Sequence, residues 1–290
     1  MSNDSSDVPP DRTSVTLAAA PNDDNKRPGR LPQALSLEPP KSPESQHRFA
    51  WGPWSSVLYT ILLYIVVQLV AGIGLALALK LLGWDSDRID SWLSGATSGQ
   101  FLYILITELL VVGGVVWFLR RRQISLRRIG WGKPKLRYAF AALAGFGVYF
   151  LSYIVVVAAA HWLIPQLKLD QEQNIGFTNV TSMGDLILTG ISLVVLPPLA
   201  EEILFRGFLF GGLRQGLSLW PAAIITSLLF GAGHLEFGDG GPLVWVAALD
   251  TFVLSLVLCY VREKTDSLWP GIFIHAAKNA LAFSVLFLLV

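Results

Sequence analysis

The chain has 290 residues, 53% hydrophobic and only 15% charged, with a mean hydropathy of +0.53. A soluble domain carries about a quarter charged residues, so this composition excludes an ordinary water-soluble globule. The net charge of +1 gives no electrostatic case for nucleic acid, and a single cysteine, Cys259, excludes a disulfide scaffold or a cysteine-built metal site.

Charge is unevenly distributed along the chain. The first 50 residues hold 13 of the 43 charged residues and eight of the 16 prolines, without an apolar period. Such a segment buries too little surface to offset chain entropy and is expected to be a disordered cytoplasmic tail. It has no apolar stretch with a small-residue cleavage site, so it does not read as a signal peptide. Residues 51–290 read as the membrane domain. The first spanning helix is expected from about Trp54 to Leu82, with Trp51, Trp54 and Trp84 suited to the interface. A polar, acidic loop with Asp85, Asp87 and Asp90 should follow, then a second span from about Phe101 to Leu119. Arg120, Arg121, Arg122, Arg127, Arg128, Lys133, Lys135 and Arg137 come next with no acidic residue among them, which marks the cytoplasmic side.

A third span runs from about Tyr138 to Ile164 and a fourth from about Asp185 to Leu213. At 1.5 Å per residue the fourth is roughly 45 Å long, against about 30 Å of hydrocarbon, and Pro197 and Pro198 predict a kink or break. A fifth span from Pro221 to about Leu235, a sixth from about Leu243 to Val261 and a last from about Leu268 complete the count. The expected fold is therefore all-α, a polytopic membrane bundle of seven transmembrane helices, or eight if the fourth segment is two pieces. No internal repeat suggests two transporter-like halves.

An ionisable side chain at a helix centre in the bilayer costs at least about 2.5 kcal/mol, so each needs a partner or a purpose. Glu201, Glu202 and Arg206 fall within six residues. Arg206 lies one turn after Glu202 and can pair with it; Glu201 then remains as a carboxylate without a local counter-charge, suited to general-base work. A closed structural network of all three is the alternative. His234 ends Phe230-Gly231-Ala232-Gly233-His234, whose glycines allow close backbone approach. His275 and Asn279 share a helical face. Glu201 lies 13 residues before Arg214 and His234 13 after Pro221, so both can lie about 20 Å from the same end. The sequence thus permits one cluster of Glu201, Glu202, Arg206, His234, His275 and Asn279. Glu108, Asp250 and Lys278 read as solvated or interhelical polar contacts, His161 as an interface anchor and Cys259 as packing.

The motifs Glu201-Glu202-Ile203-Leu204-Phe205-Arg206-Gly207, Phe230 to His234, and Thr265-Asp266-Ser267-Leu268-Trp269-Pro270 leading to His275-Ala276-Ala277-Lys278-Asn279 resemble the CPBP intramembrane protease family. This is the Abi family, that of type II CAAX prenyl endopeptidases and bacteriocin-processing enzymes, and the resemblance covers about residues 185–285. It implies hydrolysis of a peptide bond at the membrane. Glu201 and His234 would activate a water, His275 and Asn279 would stabilise the oxyanion, and Glu202 and Arg206 would orient the site.

A divalent metal such as zinc held by Glu201, His234 and His275 is the alternative to a glutamate-activated water, although no His-Glu-x-x-His helix is present. The expected partners are a peptide or lipidated-protein substrate, prenylated CAAX-type or otherwise hydrophobic, and membrane lipids. The expected location is the cell membrane, with the amino terminus cytoplasmic. An inactive scaffold or immunity protein that binds a peptide, and a proton-coupled transporter, are the competing classes.

Overall fold

A computed structural model describes residues 51–166, 175–235 and 245–289. The expected tail, 1–50, lies outside the described residues. Eight helices follow in chain order: α1 (Pro53–Leu81), α2 (Ser86–Gly95), α3 (Thr97–Arg121), α4 (Leu136–Leu163), α5 (Met183–Leu213), α6 (Leu219–Ala232), α7 (Val246–Thr265) and α8 (Trp269–Phe287). The described residues contain no strand. By length and composition α1, α3, α4, α5 and α8 can each cross a membrane, while α6 is apolar but only 14 residues long and α7 has 20 residues.

The expected first to fourth and last spans are the five helices long and apolar enough to cross a membrane, and the expected fifth and sixth are the shorter α6 and the 20-residue α7. Two segments differ in structure from the expectation. The acidic loop after α1 is in fact α2: the Asp85 side chain accepts a hydrogen bond from the Arg88 backbone N–H at 2.8 Å, an N-cap that starts a helix in a polar sequence. The fourth segment is not broken at its prolines. It continues as one 31-residue helix, α5, by changing its winding. Residues Ile191–Val195 and Glu202–Leu209 are π-helical, each carbonyl accepting from the fifth residue onward; the Leu196 N–H bonds to Ile191 O and the Phe210 N–H to Phe205 O.

The proline pair explains the first wide turn. Pro197 and Pro198 have no N–H, so the Leu193 carbonyl has no backbone donor in either an α or a π register. A side chain of α8 takes over: Asn279 Nδ2 donates to Leu193 O at 2.8 Å. The break expected from sequence is thus bridged by tertiary structure.

Two apolar cores hold the bundle. One joins α1, α3, α5 and α6, with Trp51 stacked on Phe208 at 4.9 Å and Phe118 edge-on to Phe208 at 5.0 Å. The other joins α4, α7 and α8 through Tyr149, Leu254, Leu258 and Ile274. Helix α5 touches both sides, since α8 packs along its first half, α1 along its second and α3 along both. The basic segment between α3 and α4 folds back under the bundle. Ile129 is fully buried, Gly130 O accepts from the Leu268 N–H at 3.0 Å, and Gly132 O accepts from Trp269 Nε1 at 2.5 Å. This fixes the start of α8, the helix that carries His275.

Candidate active site

The second π-helical stretch of α5 is where the charges meet. All of Glu202–Leu209 is buried. Arg206 Nη1 lies 2.9 Å from Glu202 Oε1, both residues having zero exposure, so the pair expected from the i, i+4 spacing is present. The rest of the guanidinium lies over the Phe230 ring, its Cζ 4.3 Å from the centroid. A buried charge this well enclosed stays charged only with such partners.

Helix α8 delivers His275 between the two carboxylates. Its Nδ1 is 3.4 Å from Glu202 Oε1 and its Nε2 is 3.7 Å from Glu201 Oε2. The approach requires a glycine one turn earlier. A Cβ on Gly271 would stand 2.6 Å from Glu202 Oε2, and that carboxylate cannot swing away without leaving Arg206. Gly271 was not among the sequence candidates; its spacing of four before His275 was the available signal.

His234 reaches the cluster by another route. It does not lie inside a helix, as expected, but in the turn after α6, whose last helical residue is Ala232. Its Nδ1 is 2.8 Å from Phe230 O. A carbonyl only accepts, so Nδ1 carries the hydrogen and Nε2 of the neutral ring is left with a free lone pair. The close approach expected from the glycines is present: a Cβ on Gly231 would lie 2.8 Å from Ala248 O of α7. The His234 and His275 rings stand 4.8 and 5.8 Å from the Phe230 ring, with Phe205 at 4.9 Å. Phe230 is therefore the hub that brings Arg206 and both histidines together, a role hidden inside its motif.

The structure thus joins Glu201, Glu202, Arg206 and His275 directly, adds His234 through Phe230, and places Asn279 on the Leu193 carbonyl one turn beyond His275. One Nδ2 hydrogen of Asn279 is engaged there, and its second remains for another acceptor. Glu201 differs from its neighbour. Among the described residues it has no arginine or lysine in ion-pair range, only His275 Nε2 at 3.7 Å, and its side chain lines a cavity of about 130 Å³ shared with Glu108.

For a metal, the donor types are suitable but the placement is not. Among the described residues no three His, Cys, Asp or Glu side chains converge as a ligand set, and His275 Nδ1 is directed to Glu202. The residues as placed do not fit a divalent ion, and no chemical step is drawn through one.

This constellation coincides with a known sequence pattern. Residues 183–281 match the family described as type II CAAX prenyl endopeptidase Rce1-like. The family segment begins with α5 and ends within α8, so it contains every candidate residue. Three curated relatives are similar to the chain. An "Uncharacterized 24.3 kDa protein" of Escherichia coli is 33% identical over 102 residues, covering 34% of this chain and 45% of that protein. "Putative membrane peptidase YdiL" of Bacillus subtilis is 24% identical over 221 residues, 76% of this chain and 85% of the relative. "UPF0177 protein YxdF" of Lactococcus lactis is 24% identical over 147 residues, 49% of this chain and 77% of the relative. No solved structure matches the chain.

Proposed function

We propose that this protein is an intramembrane endopeptidase in which Glu201 activates water for attack on a peptide bond. The observation that carries the reading is the unequal treatment of two adjacent carboxylates. Glu202 is paired with Arg206 at 2.9 Å, whereas Glu201 has no such cation and sits beside His275 and a cavity with polar side chains in its wall. The family match and the name of the Bacillus relative, a membrane peptidase, support the same class.

In the first step Glu201 takes a proton from water, with the free Nε2 of His234 as the assisting base, and the water oxygen bonds to the scissile carbonyl carbon. The carbonyl π electrons move onto its oxygen, where the second amide hydrogen of Asn279 and the Nε2–H of His275 in its imidazolium form stabilise the anion. Collapse re-forms the C=O bond and breaks C–N, and the proton held by Glu201 passes to the departing amine. Glu202 and Arg206 hold His275 in place and exchange no proton. The substrates proposed are prenylated CAAX-type or other hydrophobic peptides presented from the cytoplasmic side, with the amino terminus of the enzyme on that side of the cell membrane.

The test is cleavage of a prenylated and an unprenylated hydrophobic reporter peptide by purified protein in liposomes, with fragments identified by mass spectrometry. Cleavage by the parent and its loss in Glu201→Gln are expected. Binding of a reporter by the parent without any cleavage would instead establish a peptide-binding scaffold.

A further inference from the structure

The cavity of about 130 Å³ beside Glu201 is lined by six residues with polar side chains and by Ile104, Val111, Leu204 and Phe205. Tyr64 and Gln68 come from α1, Tyr103, Thr107 and Glu108 from α3, and Glu201 from α5. Tyr103 OH donates to Gln68 Oε1 at 3.1 Å across the α1–α3 boundary, so the polar wall is organised rather than accidental. The volume suits about four waters at the liquid's ~30 Å³ each, and the polar side chains of the wall supply the two to four hydrogen-bond partners a buried water needs. It is far too small for a peptide.

Glu201 therefore stands between two spaces. His275 Nε2 lies 3.7 Å from the Glu201 Oε2, on the side where the proposed reaction needs the peptide, and the cavity borders the same side chain. Hydrolysis consumes one water per bond, and every helix around the site is apolar on its outer face. A store of water behind the base solves that supply problem. Glu108, across the same small space, gives a water bound to Glu201 a second strong acceptor and so holds it in one orientation. The sequence reading treated Glu108 as an ordinary interhelical contact. Its role could not be found locally, since it lies 93 positions before Glu201 in the chain.

We propose that this cavity is the water chamber of the enzyme, a binding site for the hydrolytic water, with Glu108 as a positioning residue on its far wall. The proposal rests on the reading of Glu201 as the base. The structural readout is X-ray hydroxyl-radical footprinting of the full chain in nanodiscs, which labels side chains next to bound water whether or not the protein is active. Tyr64 and Tyr103 should be labelled in the parent. Thr107→Leu, which replaces a hydroxyl by bulk, should abolish that labelling and lower kcat at least about tenfold with KM within about twofold, because the peptide binds elsewhere. Ile104→Phe fills the same space from another position and should behave alike. Unlabelled tyrosines in the parent, or filled variants that cleave at the parental rate, would overturn the chamber and leave the Glu201 reading intact. Full cleavage by Glu201→Gln would remove the base while a positive footprint still reported the water.

Discussion

The membrane interior of this protein holds two clusters of charge that look alike in composition and differ in closure. In one, Lys278 of α8 lies 2.9 Å from Asp250 of α7, and Tyr149 of α4 donates to the other carboxylate oxygen at 2.5 Å. Each strong group has its partner, and the cluster links the three helices of one core. In the other, Glu202 is paired with Arg206 at 2.9 Å, but Glu201 has no such counter-ion. Buried charge that is fully paired organises structure; a buried carboxylate left beside a cavity and an imidazole is equipped for chemistry. Lys278 and Asn279 are consecutive on α8, so one helix serves both clusters from different faces.

The comparison breaks most readily at its most enclosed member. Arg206→Met leaves Glu202 buried without its cation, at a cost of about 3–5 kcal/mol. The expected result is a large loss of thermal stability in detergent, read by Tm, with cleavage lost as a consequence. Lys278→Met should act the same way more weakly, roughly 1–3 kcal/mol, because its side chain and that of Asp250 retain 20% and 15% exposure. The double variant Lys278→Met with Asp250→Leu should recover most of that loss and remain active. If the double variant were stable yet inactive, the second cluster would belong to the chemistry and the distinction would fail.

Asn279 offers a finer test, since it bonds the Leu193 carbonyl that two prolines leave without a donor. Asn279→Ala should cost about 1–2 kcal/mol of stability. Adding Pro197→Ala returns a backbone N–H to α5 and should restore Tm. It should not restore kcat if the second amide hydrogen stabilises the oxyanion, so the rescue separates the two roles.

The smallest effect is outside the apolar run. Arg214 grips Glu263 with two hydrogen bonds, 3.0 and 2.7 Å, and this pairing holds the Glu263 carboxyl below its ordinary range. A carboxyl held low in the folded state adds stability above the unfolded value of about 4.3, and that stability is lost as pH falls through the folded value. For a pair about 30% exposed the contribution is on the order of 0.5 kcal/mol. Glu263→Gln should lower Tm slightly at pH 7, and the difference should shrink as pH falls below the unfolded value of about 4.3.

Much of this was legible from single segments. Apolar runs located the long helices, the i, i+4 spacing gave Glu202–Arg206, and depth counting allowed Glu201, His234 and His275 to meet. Relations between segments were not legible. Hydropathy does not encode the winding that carries α5 past Pro197 and Pro198, because the compensating donor, Asn279, lies on another helix. Glu108 and Gly271 likewise acquire meaning only from what packs against them. The α2 helix is different: Asp85 before a ten-residue polar segment was a readable cap, masked by the charge that suggested a loop.

The most direct measurement compares Glu201→Gln with Glu202→Gln in one preparation, recording Tm and kcat for both. The account predicts that Glu201→Gln keeps the parental Tm within about 2 °C while kcat falls by about 10²–10⁴, the range of a lost general base. Glu202→Gln should lower Tm by several degrees, because Arg206 loses its counter-ion, and lose activity through His275. A Glu201→Gln protein that cleaves at the parental rate, or one that unfolds as readily as the Glu202 variant, would contradict the division between the reacting and the structural carboxylate.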